Sequence, residues 1–147
     1  MNVLILGSGG REHCFAELIS KSKHCDKLFV APGNSGTSLM AQNLDISPVD
    51  FDLVKGVITK HNIHLVVVGP EGPLVSGIHD FIVSDPILKG VKVIGPKQQA
   101  AQLEGSKDFA KNFLNRHNIP TAKHQTFTTR QFDEACEYIE NNSPPYV

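Results

Sequence analysis

Four short apolar segments, each closed by glycine or proline, recur along this chain with helix-like segments between them. The segments are residues 2–6 (NVLIL), 27–31 (KLFVA), 65–68 (LVVV) and 91–94 (VKVI). Short, nearly continuous apolar runs are typical of parallel strands that are buried on both faces. Their alternation with helical periodicity predicts an α/β fold, namely a doubly wound, mainly parallel sheet with helices on both faces. Ligands bind such sheets at the carboxyl ends of the strands, which here read GSGG, APGN, VGPEGP and IGP.

The pattern changes after Gly95. The elements predicted there are a helix at 97–104, a helix capped by Ser106, a strand at 123–128, a helix at 130–140 and the first residues of a strand at 144–147. Within the earlier part, residues 43–46 are predicted to form a short third strand and residues 50–60 a helix. We therefore expect two domains, at 1–103 and 104–147, the second of them incomplete.

Charge and cysteine content exclude several classes of function. The chain has 147 residues with 14 Lys and Arg against 15 Asp and Glu, a formal net charge of -1, which provides no field to hold nucleic acid or an anionic membrane. No apolar run approaches the length of a membrane span, and the first residues do not resemble an export signal. Three widely spaced cysteines fit neither a disulfide framework nor a zinc cluster. We expect a cytoplasmic protein with no nucleic-acid or membrane partner; its oligomeric state is left open.

The loop after the first strand, residues 7–13 (GSGGREH), is a candidate anion site. Glycines between a strand and a helix bring main-chain N–H groups close to a phosphate, and the helix N-terminus adds positive potential. A dinucleotide fingerprint requires glycine where this chain has Glu12, and an acidic residue where it has Ala31-Pro32-Gly33, so NAD is disfavoured. A tight turn that binds nothing is the alternative, and Arg11 either faces a phosphate or is solvated.

Other candidates follow later strands. The turn at Pro32, Gly33 and Asn34 lies where its backbone could complete a pocket, although alone it is only a turn. Glu71 is a carboxylate between two prolines, suited to hydroxyl or amine recognition or to the first turn of a helix. Asp80 is a further candidate or a surface charge. Lys107 begins a helix, where the dipole disfavours a cation, so it is either a ligand contact or a solvated lysine.

Taken together, the blocks GSGGREH, APGN-x-G, VVVGPEGPLVSGIHD, VIGP and AAQLEGSKDFAKNFLNRHNIPTA resemble the N-terminal part of the phosphoribosylamine–glycine ligase family. The resemblance implies a Rossmann-like pre-ATP-grasp domain followed by the incomplete start of an ATP-grasp domain. It implies the second step of de novo purine biosynthesis, in which ATP, glycine and 5-phosphoribosylamine give ADP, phosphate and glycinamide ribonucleotide through a glycyl phosphate. Magnesium or manganese ions would bridge the phosphates, held by residues beyond 147.

The resemblance also assigns residues. The implied phosphoribosylamine-binding residues are Gly9, Gly10, Arg11, Glu12, His13, Pro32, Gly33, Asn34, Glu71 and Asp80. Lys107 corresponds to the family's first ATP-contacting lysine. No catalytic residue or metal ligand is expected in this chain, which should retain the phosphoribosylamine half-site without performing ligation. Two other interpretations stay open, a Rossmann-like nucleotide-binding module of an oxidoreductase and a non-catalytic interaction domain.

Overall fold

The computed structural model describes residues 1–144. The chain divides into two compact units between Ser106 and Lys107. The elements of the first unit are, in order, β1 (Asn2–Gly7), α1 (Gly10–Ser20), β2 (Lys27–Pro32), β3 (Gln42–Asn43), α2 (Phe51–Lys60), β4 (Ile63–Val68), α3 (Glu71–Val75), α4 (Ile78–Ser84), β5 (Lys92–Ile94) and α5 (Gln98–Gly105). Short 3₁₀ turns lie at Thr37–Leu39 and Pro86–Leu88.

The first unit is built on one five-stranded sheet in the order β3-β2-β1-β4-β5, with every neighbouring pair parallel. The chain moves outward from β1 to β3, then returns to the other side of β1 for β4 and β5. The strand order therefore reverses between β1 and β4, and this switch point is where doubly wound sheets leave a crevice for ligands. The predicted fold class is confirmed.

Alternation along β1 explains why its sequence is apolar throughout. Leu4 and Leu6 point into one core cluster and Val3 and Ile5 into the other, because successive side chains of a strand face opposite sides of the sheet. The first cluster is completed by Val54, Ile58, Ile78, Ile82 and Ala101 from α2, α4 and α5. The second includes Ala16 of α1. Both faces of the sheet are thus covered by helices.

The second unit contains α6 (Lys107–Arg116) and α7 (Phe132–Glu140) within its described residues. The predicted strand at 123–128 is wrong, because no described residue from 117 to 131 is in a strand. A strand needs a neighbour to satisfy its main-chain groups. Here side chains hold the segment instead: Thr126 Oγ1 donates to Asp108 Oδ1 at 2.7 Å, and Phe127 packs edge-on against Tyr138. The predicted strand start at 144–147 lies almost wholly outside the described residues.

No helix among residues 1–144 has both the length and the apolar character needed to cross a bilayer.

Candidate functional site

Three loops leave the carboxyl edge of the sheet after β1, β2 and β4, and main-chain hydrogen bonds connect them directly. Gly33 N donates to Gly7 O at 3.1 Å, and Gly69 N donates to Leu6 O at 3.0 Å. Gly7 has a φ of 128°, which is unfavourable for residues that carry a side chain. This conformation lets the chain turn from β1 into the loop before α1. The sequence prediction that these strand exits meet at one edge is therefore what the structure shows.

Asn34 fixes the loop after β2. Its side-chain Nδ2 donates to Ser8 O at 2.8 Å, which joins this loop to the one after β1. Its Oδ1 accepts from Gly36 N at 2.8 Å and from Thr37 N at 3.0 Å. Thr37 is fully buried, and its Oγ1 accepts the Asn34 N–H at 2.8 Å. Both ends of the Asn34 amide are thus engaged within the protein, so its contribution to the site is to shape the loop.

His13 packs against the same loop. The ring lies where a Cβ on Gly36 would stand, and the Gly36 φ of -73° is one that any residue adopts. A side chain at position 36 would therefore displace the His13 ring, whereas the backbone there accepts any residue. This contact places the half-buried His13 ring directly against Gly36.

Glu12 is the one buried charged residue of the loop after β1, with 4% of its surface exposed. Its Oε2 accepts the Gly9 N–H at 2.7 Å, the side-chain half of a capping box at the start of α1. Its Oε1 accepts from Arg11 Nε at 3.1 Å. The carboxylate also lies directly against Gly69, so the side chain spans the switch point from β1 to β4.

Glu71 is the first residue of α3 and follows Gly69 and Pro70 at the end of β4. The residue is exposed, whereas Pro73 and Leu74 on the same short helix are buried and anchor it to the core. A carboxylate on a segment held in this way is suited to accept hydrogen bonds from a ligand at the edge.

Asp80 and Lys107 lie elsewhere in the chain. Asp80 Oδ2 accepts the Gln98 N–H at 2.7 Å, which caps the N-terminus of α5 from a neighbouring helix. The adjacent His79 Nδ1 lies 2.6 Å from Gly95 O. The bond from Gln98 gives Asp80 a structural partner that the sequence did not indicate. Lys107 is the exposed first residue of α6, in the second unit.

Sequence reasoning missed Thr37 and Asn43, whose hydrogen bonds hold Asn34 in place. The Asn34-to-Thr37 spacing, in which an amide side chain bonds N–H groups two and three residues on, was the available signal. No group of three or more His, Cys, Asp or Glu side chains that could hold a metal ion occurs within residues 1–144.

The sheet order and the position of the interlocked loops define a Rossmann-like α/β domain whose candidate site lies at the topological switch point. Comparison with known families narrows this class. Residues 1–104 match the family model described as phosphoribosylglycinamide synthetase, N domain, and the chain belongs to that family.

Individual relatives agree with the family match. The chain is 46% identical to a phosphoribosylamine–glycine ligase from Rhodopirellula baltica, over 95% of this chain and 31% of the relative. It is 45% identical to the enzyme of that name from Haemophilus influenzae, over 100% of this chain and 33% of the relative. It is also 42% identical to the bifunctional purine biosynthetic protein PUR2,5 of Pichia angusta, over 97% of this chain and 18% of the relative.

A solved structure is similar as well. The crystal structure of phosphoribosylamine–glycine ligase from Thermotoga maritima matches with a TM-score of 0.68 and 30% sequence identity, covering 99% of this chain and 32% of that one. The chain thus spans about a third of the length of the single-function relatives named here.

Proposed function

We propose that this chain is the sugar-phosphate-binding part of a phosphoribosylamine–glycine ligase, acting in purine biosynthesis in the cytoplasm. The observation that carries the proposal is that the family match, residues 1–104, falls on the unit in which the loops after β1, β2 and β4 interlock at the switch point. A first, substrate-binding domain at 1–103 and the start of an ATP-grasp domain at 104–147 belong to the same proposal.

The chemistry of this edge suits phosphoribosylamine, which carries a phosphate, ribose hydroxyls and an amine. Arg11 is exposed and stands in the first turn of α1, where cationic and main-chain N–H donors together favour a phosphate. Glu71, exposed at the end of β4, is placed to accept from a hydroxyl or amine. In this proposal Gly9, Gly10, His13, Pro32, Gly33 and Asn34 complete the site.

The proposed reaction has two steps, a phosphoryl transfer followed by a glycyl transfer. The γ-phosphoryl group of ATP passes to a glycine carboxylate oxygen, giving glycyl phosphate and ADP. The phosphoribosylamine nitrogen then attacks the glycyl carbonyl carbon, phosphate leaves and the nitrogen loses a proton. Lys107 would contact ATP. We assign no step to magnesium or manganese here, because the described residues present no cluster of ligands for either ion. The role of this chain is to hold and orient the amine.

Ribose 5-phosphate, which retains the phosphate and ribose of the substrate, tests the proposal. We expect it to raise the Tm of the 147-residue chain, since a ligand that binds only the folded state must stabilise it. Ribose without phosphate should produce no shift. Glu71→Ala should weaken ribose 5-phosphate binding about fivefold through the loss of one charged hydrogen bond. Glu17→Ala, on the exposed surface of α1, is the matched control.

The same experiment separates the rival interpretations. Saturable binding of NADH together with no response to ribose 5-phosphate would favour an oxidoreductase module. No response to either ligand would favour an interaction domain. In the structure β2 ends at Ala31 and Pro32, which offer no carboxylate to a ribose 2′-hydroxyl, and this supports the ligase assignment.

A further inference from the structure

One side chain of the protein itself, that of Glu12, is buried at the switch point. Glu12 lies against three glycines from two strand exits, Gly7, Gly9 and Gly69. A Cβ on Gly7 would stand 2.6 Å from Glu12 Cγ, one on Gly9 would stand 3.1 Å from Glu12 Oε2, and one on Gly69 would overlap Glu12 Oε1. These glycines therefore leave room for the Glu12 side chain, a requirement independent of any ligand.

The Glu12 carboxylate also accepts a hydrogen bond from the Gly9 N–H, a donor that could otherwise bind a phosphate. In a glycine-rich loop that binds phosphate, main-chain N–H groups at the helix start point towards the ligand. Here the Gly9 N–H already donates to Glu12 Oε2 at 2.7 Å, and Glu12 is a buried residue. A phosphate at the Gly9 amide would have to displace a buried anion, which like-charge repulsion opposes.

Arg11 is held by the other oxygen of the same carboxylate. Its Nε donates to Glu12 Oε1 at 3.1 Å, and its side chain is 53% exposed where that of Glu12 is 5% exposed. A guanidinium has five N–H donors in a fixed plane, so the bond at Nε leaves those of the two Nη atoms for a ligand. Fixing one edge of the plane reduces the rotamer entropy that phosphate binding would otherwise cost.

We propose that Glu12 is a positioning residue of the sugar-phosphate site. Its carboxylate accepts the Gly9 N–H in place of a phosphate oxygen, and it orients the Arg11 guanidinium towards the phosphate. The inference deepens the proposed function and rests on it, because it concerns the same ligand. It changes the expected role of the loop, since the phosphate is met by Arg11 and by later N–H groups of the first turn of α1, beginning with Gly10.

A double-mutant cycle on the 147-residue chain tests this role. The proteins are wild type, Glu12→Gln, Arg11→Met, the double variant and Glu17→Gln as the control on the exposed surface of α1. Glutamine keeps the size of Glu12 and an acceptor for Gly9 but loses the charge that holds Arg11. We expect Glu12→Gln to raise the Kd for ribose 5-phosphate about tenfold, with almost no further effect in the Arg11→Met background and none for Glu17→Gln.

An NMR titration of the wild type provides a second readout that does not depend on any variant folding. Saturation with ribose 5-phosphate should shift the Arg11 Nε–H and Gly10 N–H signals and leave the Gly9 N–H signal in place. A dominant shift at Gly9, or additive effects of Glu12→Gln and Arg11→Met, overturns the positioning role while the proposed function stands. Failure of the wild type to bind ribose 5-phosphate overturns both.

Discussion

Glycine at position 69 leaves room for a side chain from another strand exit, that of Glu12. It lies at the end of β4 beside the Glu12 carboxylate, and any Cβ there would overlap that carboxylate. Glycine after a buried strand is usually attributed to a turn or to a ligand, and sequence alone offers no way to choose between them. Contact with a buried glutamate is a third reason, visible only once β1 and β4 are known to be neighbours.

We expect Gly69→Ala to lower the free energy of unfolding by about 2 kcal/mol, because the added methyl must displace a buried, hydrogen-bonded carboxylate. Gly72→Ala is the matched control. Nothing lies within 4 Å of a Cβ at Gly72, which is in α3, so this variant should be neutral or stabilise by about 0.5 kcal/mol. Urea denaturation measures both. Equal stabilities of the two variants would contradict the packing argument.

Candidate site residues differ in how far sequence could assign them. The three strand exits were predictable, because glycine and proline end apolar runs and parallel strands share one carboxyl edge. The use of the Asn34 amide within the protein was not, since it depends on a main-chain oxygen of Ser8, 26 residues away. Asp80 shows the same limit: its partner, the Gln98 N–H, lies 18 residues further along the chain.

At the scale of elements, α5 begins with a cap supplied by a different helix. Lys97, its N-cap residue, provides no side-chain hydrogen bond, and the Asp80 carboxylate from α4 takes that place. We expect Asp80→Ala to lower the free energy of unfolding by about 1 kcal/mol, the usual loss on removing a helix cap. Asp45→Ala, at an exposed loop position, should have little effect. Unchanged stability of Asp80→Ala would show that the cap contributes nothing.

The ion pair between α2 and Asp85, the residue that follows α4, leads to a second prediction at this scale. Lys55 Nζ donates to Asp85 Oδ2 at 2.5 Å, and the side-chain bond from Lys55, followed by the Ile87 N–H, lowers the pKa of the Asp85 carboxyl. A carboxyl with a lowered pKa in the folded state stabilises the fold above its unfolded pKa, and this contribution is lost as the pH falls through the folded pKa.

Lys55→Met should therefore raise the pKa of Asp85 and lower the Tm at pH 7 by more than at pH 2. Carboxyl NMR titration measures the pKa, and thermal denaturation at the two pH values measures the stability. Lys23→Met, at an exposed position, is the control. A Tm difference between Lys55→Met and wild type that does not change with pH would exclude the charge interaction as its source.

The strands with apolar runs, β1, β2, β4 and β5, were predictable, whereas the position of β3 and the segment at 123–128 were not. β1, β2 and β4 have apolar runs because both of their faces are covered. The third strand was predicted at 43–46, but β3 contains only Gln42 and Asn43. Its position is set by pairing with β2, which the local sequence does not reveal. The segment at 123–128 resembled a strand but packs through side chains on α6 and α7. A local pattern carries no information about such partners.

At the scale of the whole chain, the functional proposal separates binding from ligation. Under the proposed function this chain contributes the sugar-phosphate site, whereas phosphoryl transfer between ATP and a carboxylate is usually assisted by metal ions that bridge the phosphates. We expect the 147-residue chain to bind ribose 5-phosphate without glycine-dependent ADP release. Coupled detection of ADP in the presence of ATP and glycine, with phosphoribosylamine generated in the assay, measures this. Sustained glycine-dependent turnover would contradict the expectation.

The hydrogen bonds that join the strand exits should couple the local opening motions of the loops at this edge. Gly33 N reaches back to the exit of β1, Gly69 N does the same from β4, and Asn34 adds a side-chain link. No one of these loops is able to swing outward alone, so the carboxyl edge should open as a single cooperative unit. Hydrogen exchange should then give the same opening free energy for the Gly33 and Gly69 amides. In a series of denaturant concentrations, the opening free energies of the two amides should fall on one common curve.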